Sequence, residues 1–163
     1  MNLIKEITLR IKNSSEDQIK GIISDKKNPV TLTYVSKFKN KPVTIPIWIY
    51  NWENRFYIFG GKKSKKVQSI EFGNTDVSLL IINREFYPHP EPGSIPYIGI
   101  SGVARIVNYK EKENLPLIHQ KLLLKYDKKL EHTWIKDLYE KVEKNSNDVW
   151  LIEINPISFY SYF

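Results

Sequence analysis

The sequence predicts a mainly β domain of the α+β class, an antiparallel barrel carrying peripheral helices. Six or seven short segments are rich in Ile, Val, Thr and aromatic residues and are bounded by turn residues. Most of these segments are joined by tight turns, which connect antiparallel neighbours. Helical periodicity is confined to a few stretches and never alternates regularly with the strands. A βαβ architecture, and with it a Rossmann-type dinucleotide site, is therefore not expected.

Residues 1–25 read as an N-terminal helical segment. Ile4, Ile7 and Ile11 have helical spacing, although Ile7, Leu9 and Ile11 also alternate like a strand. Ser14-Ser15-Glu16-Asp17 supplies an N-cap and an acidic first turn, and Ile19, Ile22 and Ile23 form the apolar face that follows. Residues 30–35 are a β-branched strand. The loop Ser36-Lys37-Phe38-Lys39-Asn40-Lys41 leads to a second strand over 42–50, with Pro46 inside it. Proline cannot donate to a central ladder, so Pro46 marks an edge, a bulge or a ligand approach. Asn51-Trp52-Glu53-Asn54 reads as a hairpin loop, and 55–59 pairs back as the third strand. After Gly60-Gly61-Lys62-Lys63, residues 64–72 form a short helix capped by Ser64 and stopped by Gly73-Asn74. Residues 76–83 are a strongly apolar strand, 84–96 a long loop with four prolines, and 97–107 another strand. Two helices over 113–126 and 132–142 make 113–143 a helical insertion. Strands at 149–154 and 157–163 close the domain.

Length and charge bound the function. A chain of 163 residues suits one domain, 1–163, with a sizeable core. It has no cysteine, which removes disulfides, thiolate metal sites and a Cys nucleophile. No apolar run approaches the roughly 20 residues that span a bilayer, and Met1-Asn2-Leu3-Ile4-Lys5-Glu6 lacks a signal-peptide core. The expectation is a cytoplasmic protein with no membrane partner. The net charge of +7 favours anionic partners. Only Arg10, Arg55, Arg84 and Arg105 are arginine, which disfavours a dedicated nucleic-acid reader.

The informative segment is Phe59-Gly60-Gly61-Lys62-Lys63-Ser64-Lys65-Lys66. Taken alone it reads first as a solvated basic turn. It also joins a strand end to a helix start and offers two glycines, unpaired first-turn amides, a hydroxyl and ammonium groups. Those are the parts of a phosphate site. It is not a Walker A loop, because Phe56 stands where the upstream glycine is required. His89, His119 and His132 have no metal-like spacing with a carboxylate, so no metal ligands are assigned. His119 and His132 are expected to be surface or packing residues. Glu85 and Glu91 flank the proline-rich loop, but sequence separation cannot make them a catalytic pair. No serine sits in a nucleophile elbow. Catalytic residues therefore stay unassigned, and an enzyme here would take its chemistry from a cofactor. Tyr50, Trp52, Phe56, Tyr57 and Phe59 around Arg55 read as core and interface aromatics, with base stacking as the alternative.

The stretches Pro42-Val43-Thr44-Ile45-Pro46-Ile47-Trp48, Arg55-Phe56-Tyr57-Ile58-Phe59, Ser64-Lys65-Lys66-Val67 and Asp76-Val77-Ser78-Leu79-Leu80 resemble the pyridoxamine 5'-phosphate oxidase-like family. Ile100-Ser101-Gly102-Val103-Ala104-Arg105-Ile106-Val107 is similar to its following strand, and Ile152-Glu153-Ile154-Asn155-Pro156 to its closing strand. The resemblance covers about residues 20–160 and rests on order and spacing. It implies an antiparallel split β-barrel of the flavin-binding type and a homodimer with FMN at the subunit interface. A small-molecule substrate and flavin-dependent oxidoreductase activity are also implied. The implied cofactor contacts are Thr44, Ile45, Pro46 and Ile47 along the ring and ribityl chain, Phe59 and Gly60 beside them, and Ser64, Lys65 and Lys66 at the phosphate. Backbone amides of residues 45–48 are the expected hydrogen-bond donors near the ring. The loop Tyr87-Pro88-His89-Pro90 and the helix around Trp134 are candidates for the substrate side, with core packing the simpler expectation for Trp134.

Several positions depart from the oxidase. Thr44 replaces an Arg, Ile49 a Lys and Gly60 a Thr, a Gln near Tyr97 is missing, and Ser158-Phe159-Tyr160-Ser161 lacks the C-terminal Arg and His. A true pyridoxamine phosphate oxidase is not expected. A deazaflavin-dependent reductase is the nearest alternative. A non-catalytic barrel binding nucleic acid or a protein partner is the alternative from another class.

Overall fold

A computed structural model describes residues 5, 15–84, 97–144 and 150–162. The proline-rich loop with Glu85, His89 and Glu91, and most of residues 1–14, lie outside the described residues. Among the described residues, four helices and seven strands run in the order α1 (Glu16–Ser24), β1 (Val30–Ser36), β2 (Lys41–Pro46), β3 (Ile49–Trp52), β4 (Arg55–Phe59), α2 (Lys65–Glu71), β5 (Asp76–Ile82), β6 (Tyr97–Asn108), α3 (Leu115–Tyr126), α4 (Thr133–Lys144) and β7 (Trp150–Tyr162).

The strands form one antiparallel sheet in the order β2-β1-β5-β6-β7-β4-β3. Its two edges, β2 and β3, are consecutive in the chain and joined only by Ile47 and Trp48. The sheet therefore curls until its edges meet at that link without pairing, which is a split barrel. The expected strand over 42–50 is thus two strands, and Pro46 is the last residue of edge strand β2, where its missing N–H costs no ladder bond. At the other end, the two closing strands expected around Pro156 are one strand of thirteen residues. Gly102 pairs with Pro156 and Ser101 with Ser158, so the register slips by one residue and the bulge absorbs the proline.

Two cores lie on opposite faces of the sheet, and period-2 alternation sorts the residues between them. On β4, Phe56 and Ile58 enter the barrel core, while Tyr57 and Phe59 face the helical side. On β7, Ile152 and Ile154 go in and Leu151 goes out. Ile19, Ile22 and Ile23 of α1 and Val67 and Ile70 of α2 plug the barrel. Leu115, Ile118 and Leu122 of α3 and Val142 of α4 cover the outer face over Tyr57 and Leu151.

Local chemistry fixes the helix ends. Ser15 and Gln18 make a reciprocal capping box on α1, with Ser15 N–H donating to Gln18 Oε1 at 2.9 Å and Gln18 N–H to Ser15 Oγ at 3.2 Å. Asn28 holds the α1–β1 connection by donating to Ile22 O at 2.9 Å and accepting from Arg84 N–H at 2.9 Å. Lys125 of α3 donates to Ile23 O at 2.9 Å and Ile49 O at 3.0 Å, pinning the end of α1 to β3. Gly73, at φ +113°, ends α2 in the left-handed conformation expected of it.

Candidate functional site

A cavity of about 740 Å³ lies beside the β2–β3 link. Pro46, Ile47 and Trp48 form one wall. Phe59 and Gly61 at the end of β4 and Lys66 of α2 form another, Tyr126, Trp134 and Leu138 come from α3 and α4, and residues 26–31 form the rim. The barrel split places these segments together, because β2 must leave the sheet where β3 enters it.

The wall is aromatic. Trp48 stacks on Tyr126 at 4.5 Å with 5° between planes, and Trp134 stacks on Trp48 at 5.4 Å and 26°. Tyr126 is itself anchored, since its hydroxyl accepts from Ile49 N–H at 3.0 Å. The charges are all positive. Among the described residues Lys26, Lys27 and Lys66 line the cavity and no carboxylate does. Lys66 is half-buried, and burial lowers the pKa of its ammonium. Among the described residues it has no hydrogen-bond acceptor or counter-ion.

The structure brings together part of the expected set. Pro46, Ile47, Phe59 and Lys66 line the cavity. Thr44 lies on the exposed edge strand with its hydroxyl 2.8 Å from that of Thr33, and Ile45 packs against the barrel core. Neither lines the cavity. Ser64 caps α2, its Oγ accepting from Val67 N–H at 3.4 Å, and it does not line the cavity. Lys65 is exposed outside the cavity. Of the expected backbone donors, Ile47 N–H is committed to Val30 O at 3.0 Å and Pro46 has none.

The two glycines divide their roles. A Cβ on Gly60 would lie 2.9 Å from Val67 Cγ2 and 3.1 Å from Ile152 Cγ1, whereas Gly61 has open space around it. Gly60 is required for the close packing of α2 on β7, and only Gly61 leaves room at the cavity. Gly60→Ala is expected to lower stability by about 1–3 kcal/mol through overpacking, and Gly61→Ala by less than about 0.5 kcal/mol. Urea unfolding of both variants checks this, and equal losses would remove the distinction.

The sequence reading missed Lys26, Lys27 and Tyr126 as cavity residues, and it offered Trp134 for the substrate side while favouring core packing for it. Trp134 is not core packing; it is 53% exposed and forms the outer leaf of the stack. Phe56 and Tyr57 of β4 are fully buried packing residues and Tyr50 and Trp52 of β3 are partly buried against the outer core, whereas Phe59 lines the cavity. Among the described residues no cluster of three or more His, Asp or Glu is placed to hold a metal ion, and no helix is long and apolar enough to cross a membrane.

No family model and no curated protein matches the chain. Solved structures do. The conserved hypothetical protein Rv2991 from Mycobacterium tuberculosis is similar with a TM-score of 0.68 at 17% identity, over 91% of this chain and 84% of that one. HutZ, the haem storage protein from Vibrio cholerae, aligns with a TM-score of 0.63 at 11% identity, over 90% and 94%. An F420 reductase aligns with a TM-score of 0.59 at 17% identity, over 86% and 94%. The seven-stranded open sheet and these likenesses agree, and the chain has the split-barrel fold of the pyridoxamine 5'-phosphate oxidase-like proteins.

Proposed function

We propose that the protein is a cytoplasmic FMN-binding oxidoreductase acting on a small molecule, and that the 740 Å³ cavity is its cofactor site. The observation that carries this reading is Lys66, a half-buried ammonium without a counter-ion at the edge of an aromatic cavity. Taking a cation out of water is unfavourable unless an anion compensates it, and a phosphate does so. The Trp48–Tyr126–Trp134 layer and the Ile47 wall suit a planar ring. Bound flavin supplies hydride or electron transfer. The chain's part is to hold the phosphate at Lys66, with Lys26 and Lys27 adding positive potential, and to exclude water from the ring. Among the described residues the cavity's lining has no His or Met, and Tyr126 is engaged by Ile49, which supports a flavin reading over a haem. A deazaflavin is the second reading, on the likeness to the F420 reductase.

We further propose that two copies associate with the flavin near their interface. The exposed Val103, Ile157 and Tyr160 on β6 and β7 offer apolar surface for it.

Titrating cofactor-stripped protein with FMN, with F420 in parallel, tests the proposal. One FMN per subunit is expected, at twice the chain mass of 19.2 kDa in sedimentation. Lys66→Ala is expected to weaken FMN about 10- to 100-fold, the worth of a charge-assisted hydrogen bond, and Lys65→Ala less than about threefold. Binding of neither cofactor overturns the reading and returns the basic surface, with nucleic acid or an acidic protein as its partner, to the front.

A further inference from the structure

A second cavity, of about 300 Å³, lies on the other side of the Phe59–Gly61 segment, between the end of β4, α3, α4 and the start of β7. Phe59, Gly61 and Leu138 line both cavities, so the two are neighbours. Among the described residues no carboxylate lines the smaller one, whereas Lys62 and Lys141 both do. The Lys62 side chain is exposed, and its ammonium sits 4.3 Å from the centroid of the Trp150 ring, which holds the charge beside the cavity. His119 of α3 is 6% exposed and meets the Phe59 ring edge-on at 4.8 Å. Its Nδ1 is buried without a hydrogen-bond partner. An unpaired buried polar group is unfavourable and uncommon in a settled core. Burial pushes the imidazole down to about pKa 4, so at neutral pH it is an uncharged polar group in an apolar wall completed by Phe59 and Val142.

From the cavity, its two lysines and the buried His119, we propose that this site binds a small aromatic carboxylate. The volume is at the low end for small-molecule sites and suits one substituted ring better than a nucleotide. The two ammonium groups suit the carboxylate, the apolar wall suits the ring, and the neutral imidazole suits a ring hydroxyl. The proposal does not depend on what fills the larger cavity. A ligand here touches the opposite side of the Phe59–Gly61 segment, so it is placed to act as substrate or effector for whatever the larger site holds.

The test is calorimetric titration of the full chain at pH 7 with 4-hydroxybenzoate, benzoate and benzyl alcohol. Saturable one-site binding of 4-hydroxybenzoate is expected. Benzoate should bind about tenfold more weakly, for one lost hydrogen bond, and the uncharged alcohol more weakly still. Lys141→Met is expected to weaken both acids about tenfold, and His119→Leu to abolish the preference for the hydroxyl. Lys66→Ala, in the larger cavity, should change neither. The exposed position of Lys141 keeps the test valid if the His119 variant does not fold. Absence of saturation, binding of the alcohol as tight as that of the acids, or loss in Lys66→Ala in place of Lys141→Met overturns the proposal.

Discussion

Glu153→Gln is expected to destabilise the protein by about 3–5 kcal/mol, the cost of breaking a buried ion cluster by removing one partner. Glu153 is 1% exposed on β7, with Tyr57 of β4 and Arg105 of β6 as its cross-strand neighbours. Its Oε2 accepts from the Tyr57 hydroxyl at 2.7 Å and from Lys112 Nζ at 2.9 Å, and its Oε1 accepts from Arg105 Nε at 2.8 Å. Lys112 also donates to the Tyr57 hydroxyl. Burial works to raise the Glu153 pKa, but the hydrogen bonds from Lys112, Tyr57 and Arg105 outweigh it and hold the carboxyl at about 2. A glutamine keeps the shape, loses the charge and leaves Lys112 without its counter-ion. Arg105→Ala is the control. Its side chain is 61% exposed, so its loss is expected to cost less than about 1 kcal/mol.

The pH dependence follows from the sign of that shift. A carboxyl whose folded pKa lies below its unfolded value stabilises the fold above the unfolded value, and the contribution disappears as pH falls through the folded one. Stability should therefore fall between about pH 4.5 and 2, and Glu153→Gln should flatten that slope. Some slope will remain, because Asp127 is also held at about 2, chiefly by the backbone N–H of His132. Denaturant unfolding at pH 7 and pH 3 measures both effects. A loss below about 1 kcal/mol for Glu153→Gln at pH 7 would show that the cluster is solvated.

The strands were legible as runs of β-branched and aromatic residues bounded by turns, with the period-2 burial plain in β1, and β4 shows how burial on both faces hides that alternation. All five of its residues are apolar or amphipathic, so alternation is hidden, yet both faces are buried and the strand forms as expected. Pro46 was read inside one strand and Pro156 between two, and the structure reverses both. Pro46 ends an edge strand, while Pro156 sits at a bulge inside a continuous one, and only the partner strand decides between these. The phosphate motif was read along the chain, which gave Ser64, Lys65 and Lys66 equal roles. Of the three, only Lys66 lines the larger cavity, while Ser64 caps α2 and Lys65 is exposed. Lys26, Lys27 and Tyr126 reach the same cavity from distant segments through the curl of the sheet, and no local pattern marks them. Glu153 was hidden for a related reason, since a carboxylate between two isoleucines on a closing strand looks solvent-facing until the helical layer covers it.

Trp48→Ala is expected to lower stability by about 3 kcal/mol and FMN affinity by about 100-fold, the joint loss of ring contact and of the packing that shapes the wall. Trp48 is one of only two residues between β2 and β3, so its ring position is set by the backbone at the barrel split. Tyr126 lies flat against it and is held by Ile49, the residue after Trp48. Trp134, at the start of α4, has Trp48 as its inner neighbour in the stack. Removing the middle ring thus leaves Trp134 unsupported and frees the first turn of α4, while Tyr126 stays anchored. Hydrogen exchange should rise at residues 135–138 more than in α3. Trp48→Phe, which keeps a ring, is expected to retain affinity within about tenfold, and Trp134→Ala to cost less than about 1 kcal/mol, because that ring is already half exposed. FMN titration and denaturant unfolding of the three variants separate stability from binding. If Trp48→Ala unfolds more readily yet binds FMN normally, the aromatic layer is a packing device and the flavin ring lies elsewhere.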